Sequence, residues 1–314
     1  MLIGKVHIDK PLTDFALGYR PQGLIADQIA PVVDVPNQTD LYKIWDQADI
    51  FRRVDDRRSP GTEPNTFRLR VTSAAFFCQN YELQAPITHE QLANADPIDR
   101  LMLEQYRTQG MLDKMGMNWD LRLAALIFVT GGVGSYATPG SLWSSAANSS
   151  PVTDIEVAMD NVEDATGYRP NEIVFGGLSW RQHQRSNQAR DRITPGPFAN
   201  AGQYPTVQQV AAFYGVESVL IGGGYVNTAA ENLALSLSRV WSNHVLVHYR
   251  TPNPSRESPT HLASFRWRNG PGGNWVVRRH EPDTLKKAET ISVGYYQDER
   301  VVSSVLGFLV TSVS

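Results

Sequence analysis

Residues Asp96 to Val129 read DPIDRLMLEQYRTQGMLDKMGMNWDLRLAALIFV, the longest run in the chain able to form one uninterrupted helix. Asp96 suits the N-cap and Pro97 the first helical position, and no further proline occurs until Pro139. Ile98, Met102 and Tyr106 recur every four residues, and Leu112, Met115, Trp119, Leu123 and Leu126 every three or four. Each half therefore carries an apolar stripe, and the two stripes are out of phase. At 1.5 Å per residue such a helix is roughly 50 Å long, more than one compact core needs. Gly110 and Gly116 each cost about 1 kcal/mol relative to alanine. The pattern predicts a spine with two built-in bending points; two shorter helices broken near Gly110 are the alternative.

The rest of the chain reads as attached to this spine. With 314 residues and 41% hydrophobic content, one large or two ordinary domains can form cores. A net charge of −3 and a pI near 6.2 exclude the global basic field of a sequence-independent nucleic-acid binder. Cys78 is the single cysteine, which excludes internal disulfides and multi-cysteine zinc sites. Met1 to Lys5 lacks the start of a signal peptide, and the apolar tail from Val301 to Val313 is too short and too rich in serine to span a bilayer. A soluble protein made in a reducing cytoplasm, with no membrane contact, is expected.

Residues 1 to 45 hold Pro11, Pro21, Pro31 and Pro36 among short apolar pieces, which favours an extended arm that needs another surface to lie on. Trp45 to Val54 and Phe67 to Tyr81 read as two strands, with turn signals at Ser59-Pro60-Gly61 and Glu63-Pro64-Asn65 between them. This long hairpin, 46–85, ends in a tip carrying Arg52, Arg53, Asp55, Asp56, Arg57 and Arg58. Such a tip cannot build a core, and it reads either as a solvated end or as a docking surface. Thr88 with Gln91 forms a capping box ahead of the spine. Past a Gly- and Ser-rich stretch to Ser150, a helix opened by Thr153 and Glu156 closes at Gly167 and Pro170. A buried strand Glu172 to Phe175, a polar helix Ser179 to Ala189, a helix Thr206 to Tyr214 and a strand Ser218 to Ile221 follow. From His244 the pattern turns to strands: His244 to Tyr249, Ala263 to Arg268, Trp275 to His280, Glu289 to Tyr296 and Val301 to Val313. The fold class is α+β.

Catalytic patterns are each defective. Gly177-Leu178-Ser179-Trp180-Arg181 starts like a nucleophile elbow but has Arg181 where a glycine must close it, so Ser179 reads as a helix N-cap. Gly131 to Gly134 and Gly222 to Gly224 lack the partners of a phosphate loop and read as turns. His244 and His248 lie four apart on a strand, about 13 Å from each other, too far to share a metal. Asp55-Asp56 and the pair Glu281 and Asp283 sit in charged, turn-like surroundings. No catalytic residue, cofactor or metal is expected.

In the order of its local phrases the chain resembles the major capsid proteins of tailed bacteriophages, with the Hong-Kong-97-type fold, over nearly its full length. The phrases are Ile29-Ala30-Pro31-Val32-Val33 in the arm, Tyr81-Glu82-Leu83 leading to the spine, Ala165-Thr166-Gly167-Tyr168-Arg169-Pro170-Asn171 before a strand, and Ser179-Trp180. Val210 to Val216 before Val219-Leu220-Ile221-Gly222, Val245 to Tyr249 before a proline-rich loop, Phe265-Arg266-Trp267, and Val301-Val302 followed by Gly307-Phe308-Leu309 complete the series. The resemblance implies an N-terminal arm (1–45), an extended β-hairpin loop (46–85), a peripheral domain with the spine helix (86–150, completed by strands 274–314) and an axial α/β domain (151–273). It implies a structural protein of the virion that self-assembles in the host cytoplasm, as pentamers and hexamers, into an icosahedral shell enclosing double-stranded DNA. Its implied partners are its own copies, a portal, a separate scaffolding protein and a decoration protein, with DNA held without sequence specificity. Segments such as Arg181 to Arg192 would face either DNA or solvent. Some members of the family cross-link through a lysine of the extended loop, but no lysine lies between Lys43 and Lys114 here, so no such cross-link is expected. An encapsulin-type compartment of the same fold is one alternative. A serine hydrolase using Ser179 with His183 is another.

Overall fold

In a computed structural model the described residues are 7–19, 21, 23–45, 47–66, 70–129, 131–194, 204–270, 275–280, 287–311 and 313, with the side chains at 47, 48, 97, 98 and 101 excepted. Pro97–Ile127 is one continuous helix of 31 residues, so the spine is unbroken at Gly110. Asp96 adopts the extended N-cap conformation, but its side chain accepts no capping hydrogen bond. Pro97 and Asp99 in the first turn supply the start signal instead. The capping box of Thr88 and Gln91 forms as expected ahead of it.

The two apolar stripes fare differently. Leu112, Met115, Trp119 and Leu123 are buried, whereas Met102 and Tyr106 are 50% and 69% exposed. The first half of the spine is buried instead through Thr108 and Met111, with Leu103 packed against the same core. Gly116 is a notch: a Cβ there would stand 2.7 Å from Leu24 Cδ1 and 3.1 Å from Pro21 Cγ, so the arm lies in the space its missing side chain leaves.

Two sheets flank the spine. A five-stranded sheet runs Ser135–Ala137, Gly307–Val310, Val245–His248, Glu172–Gly176, Ser218–Gly222, mixed in direction. Its central strands are apolar at successive positions because both faces are covered. Ile173, Phe175, Val245, Val247, Phe308 and Val310 face a core with helices Pro151–Thr166 and Val207–Tyr214. Val174, Leu246 and Leu309, alternating with them, face Trp119, Leu123 and Ile127 of the spine. A six-stranded sheet centres on the 14-residue strand Ala288–Val301. Gln79–Thr88 pairs along one edge of that strand, and Val276–Arg279 and Leu262–Trp267 share the other. His7–Ile8 and Val32–Val35 add the outer strands, so the arm is built into this sheet at two places. Its core joins Leu12 and Ala16 of the arm helix Lys10–Gly18 to Met111, Leu112 and Met115 of the spine. Sheet membership does not divide at residue 273: Leu262–Trp267 belongs with Ala288–Val301, and Gly307–Val310 with Glu172–Gly176.

The hairpin begins earlier than its sequence pattern predicts. Its stem pairs Thr39–Trp45 with Val71–Phe77, from Thr39 opposite Phe77 to Trp45 opposite Val71. Gln47–Ile50 is a single helical turn where a strand from Trp45 to Val54 is predicted, and Phe67 lies outside the described residues. The polar helix predicted over Ser179 to Ala189 is two helices, Gly177–Arg185 and Asn187–Ile193, the second capped by Ser186, whose Oγ accepts from Ala189 N at 3.1 Å. Gly167 and Gly215 close their helices in the left-handed conformation, as the sequence predicts for Gly167.

A Cβ at Gly110 would meet nothing within 4 Å, whereas one at Gly132 would stand 2.1 Å from the carbonyl oxygen of Leu126. Gly110→Ala is therefore expected to stabilise the protein by roughly 0.5–1 kcal/mol in denaturant unfolding, and Gly132→Ala to destabilise it by about 2 kcal/mol or more. A loss of stability in Gly110→Ala would show that the spine uses Gly110 as a bending point.

Candidate assembly surface

The hairpin is fastened at its root and open at its end. Lys43 N donates to Arg256 O at 2.9 Å, Trp45 Nε1 donates to Glu257 O at 2.6 Å, and Lys43 Nζ pairs with Glu257 at 2.6 Å. Arg256 also pairs with Asp40. The proline-rich excursion after Tyr249 is thus the bracket that holds the stem. Beyond it, buried Asp49 binds Arg70 Nε at 2.8 Å and Arg52 at 3.2 Å, and the Arg70 guanidinium holds the Asp49 carboxyl below its usual range. Phe51 lies on Gly167, its Cζ 2.4 Å from where a Cβ would be.

Of the six tip residues named from sequence, Arg52 is partly committed to Asp49, while Arg53, Asp55, Asp56, Arg57 and Arg58 are exposed. The tip is shaped by its own short bonds. Arg57 N donates to Asp55 Oδ1 at 3.0 Å, Asn65 Nδ2 to Asp55 O at 2.8 Å, and Arg58 Nε to Thr62 O at 2.7 Å. The structure therefore brings the six together on one protruding segment with most of their charge facing water.

Two polar sites inside the subunit, neither singled out by the sequence reading, hold the parts that carry this hairpin. Asp120, fully buried on the spine, accepts from Ile25 N at 3.2 Å, Ala26 N at 2.8 Å and Trp241 Nε1 at 3.1 Å. Arg122, two residues further on, donates to Glu299 at 2.7 Å and to the Tyr295 hydroxyl at 3.0 Å, and stacks 3.8 Å from the Tyr81 ring centroid. Asp120 fastens the arm, and Arg122 fastens the central strand and the strand leading out of the hairpin. The signal for both was available: charged residues flanking Trp119 and Leu123 in an apolar stripe must find buried partners.

The residues weighed for chemistry have structural duties. The helix that begins at Gly177 has Gly176 as its N-cap, so Ser179 is not the cap; its hydroxyl donates to His244 O at 2.9 Å. His183 shares a 3.2 Å hydrogen bond with the Tyr214 hydroxyl, and burial pushes its pKa down to about 3. With Ser179 bound to a carbonyl, no serine–histidine relay is assembled. Gly131 takes a left-handed turn conformation, but Gly134 and Gly222 mark close packing, against Val305 and the Trp241 ring. Among the basic residues of 181–192, Arg192 pairs with Glu156 at 3.0 Å. Glu281 and Asp283 lie outside the described residues. Among the described residues no helix is long and apolar enough to cross a membrane.

Comparison with known proteins places this architecture. No family model matches the chain. A phage-related protein of Bordetella bronchiseptica RB50 superposes with a TM-score of 0.73 at 19% identity, over 97% of this chain and 96% of that one. The capsid structure of the cyanophage P-SCSP1u gives a TM-score of 0.58 at 11% identity, over 93% and 89%. In sequence, the major capsid protein of Pseudomonas phage JBD67 is 26% identical, covering 96% of this chain and 95% of that protein. The chain is similar in sequence to a phage major capsid protein. Its fold is the phage capsid fold, and the resemblance read from the order of sequence phrases holds over the whole length. Within that fold the bracketed hairpin, with its open tip, is the candidate contact surface of the capsid relative.

The Asp120 site makes a pH dependence testable. Desolvation raises its pKa to about 6 despite the hydrogen bonds from Trp241, Ala26 and Ile25, so the folded state binds this proton more tightly than the unfolded chain. The contribution of Asp120 to stability is therefore greatest below about pH 4 and is lost as pH rises through 6. The unfolding free energy of wild type minus that of Asp120→Asn is expected to grow by about 1 kcal/mol per pH unit between pH 6 and 4. A difference that does not change with pH would show that burial of this carboxylate costs nothing.

Proposed function

We propose that this chain is a structural, non-enzymatic major capsid subunit whose copies assemble as pentamers and hexamers into an icosahedral shell around double-stranded DNA. The observation that carries the reading is similarity to a phage major capsid protein along 96% of the chain, joined to a bracketed hairpin with a charged, largely unpaired tip. In this reading the arm precedes Thr39 and the extended loop spans 39–77; the peripheral domain is built on the spine and the sheet of Ala288–Val301, which takes in Leu262–Trp267, and the axial domain on the sheet of Glu172–Gly176, to which Gly307–Val310 returns. The subunit belongs to the virion, built in the host cytoplasm. A portal, a separate scaffolding protein and a decoration protein are its further partners, and DNA is contacted without sequence specificity.

Arg52, Arg53, Asp55, Asp56, Arg57 and Arg58 act as an inter-subunit contact, since an exposed segment of both signs gains little in a monomer and supplies register between copies. Individually weak contacts, repeated by closed symmetry, sum to a stable shell. The shell is held without a lysine cross-link from the hairpin: 44–113 contains no lysine, and Lys43 in the stem is paired with Glu257 at the root.

The test is charge reversal where the tip is free of internal ion pairs. Arg53→Glu, Arg57→Glu and Arg58→Glu together are expected to leave the thermal unfolding of the subunit within about 0.5 kcal/mol of wild type, while closed particles disappear from sedimentation profiles. Particles at the wild-type level would show that the tip is only a solvated end.

A further inference from the structure

The search for what receives the tip leads to the helix Pro151–Thr166. Its inward face, with Val152, Ile155, Ala158, Met159 and Val162, is fully committed to the core beside the five-stranded sheet. Its charged residues are of one sign: the helix carries Asp154, Glu156, Asp160, Glu163 and Asp164 and no lysine or arginine. Asp154 is occupied by Trp143 Nε1 at 2.8 Å and Glu156 by Arg192 at 3.0 Å. Asp160, Glu163 and Asp164 are exposed, next to Val157, which is 49% exposed. Glu163 and Asp164 also stand in the last turn, where the helix dipole disfavours negative charge. Among the described residues neither carboxylate makes an ion pair.

The tip and this face are complementary and already neighbours. The tip offers Arg52, Arg53, Arg57 and Arg58 against two aspartates. Phe51, immediately before those arginines, rests on Gly167, the C-cap of the same helix. Yet within one subunit the contact is not made. Arg52 pairs with Asp49 and Arg58 with the Thr62 carbonyl, and among the described residues no tip arginine bonds to Asp160, Glu163 or Asp164. We infer that the outward face of helix Pro151–Thr166 is the receptor for the arginine-bearing tip of a second copy of this chain. The contact is heterologous, tip to helix, so it propagates from copy to copy and forms a ring when the rotation between copies closes. This inference rests on the assembly reading above and names the surface on which the tip acts.

The experiment is a charge-swap rescue, read as the yield of closed particles by sedimentation and electron microscopy. Arg53→Glu, Arg57→Glu and Arg58→Glu form one set, and Asp160→Lys, Glu163→Lys and Asp164→Lys the other. Each set alone is expected to lower particle yield about tenfold or more while the subunit melts normally, and the two combined to restore it to within about twofold of wild type. Normal particles from the helix set, or no recovery in the combination, overturn the inference while leaving the assembly reading intact. A wild-type chain that forms no particles even with scaffolding protein supplied overturns both. A second measurement fixes which copy is the partner. In Arg57→Cys with Asp160→Cys, mild oxidation is expected to give covalent multimers on a non-reducing gel, whereas a monomer closed on itself would place the tip on its own helix and overturn the inference. The native Cys78 does not compete, being fully buried with its thiol pushed up to about 11.

Discussion

One helix has to serve two cores, and the rest of the structure follows from that constraint. Met111, Leu112 and Met115 pack on the six-stranded sheet, while Trp119, Leu123 and Ile127 pack behind the five-stranded one. Met115, Trp119, Leu123 and Ile127 are spaced by four, so a single buried stripe runs along the rod and serves the two sheets in succession along its length. The helix is continuous through the residues that contact both sheets, so one rod carries both cores.

The chain reinforces this rod by crossing between sheets repeatedly. Leu262–Trp267 leaves the five-stranded sheet's neighbourhood to pair with Ala288–Val301, and Gly307–Val310 returns to pair with Val245–His248. Burial alone would hold such an arrangement loosely, since apolar contacts have no direction. Asp120 and Arg122 supply direction. The carboxylate fixes the arm and Trp241 to one side of the spine, and the guanidinium fixes Glu299, Tyr295 and Tyr81 to another. What the interior cannot satisfy is left outside: Met102 and Tyr106 on the spine, the hairpin tip, and the acidic face of Pro151–Thr166.

The parts legible in sequence are those decided locally. A proline at the start of the spine, a capping box at Thr88, and a left-handed glycine ending a helix at Gly167 each depend on a few neighbouring residues and appear as read. The errors lie where distant partners decide. Thr39–Trp45 is a strand because Val71–Phe77 and the bracket at Arg256 and Glu257 pair with it, and no local pattern favours it over Trp45 to Val54. Met102 and Tyr106 have helical spacing but meet no second surface, and Gly116, read as a bend, is an opening for Leu24. Ser179 has the residue type of an N-cap, but the helix starts at Gly177 and the hydroxyl is claimed by the carbonyl of His244, 65 residues away. The six tip residues were visible as a cluster of both signs, whereas the acidic helix face was masked by its regular amphipathic pattern.

The central claim, that the subunit's unsatisfied surfaces are satisfied by copies of itself, is tested most directly by electron microscopy of the purified chain expressed alone. The account predicts closed shells, or rings of five and six subunits that close into shells when scaffolding protein is supplied. A monodisperse monomer that stays monomeric at high concentration with scaffolding protein present would contradict it.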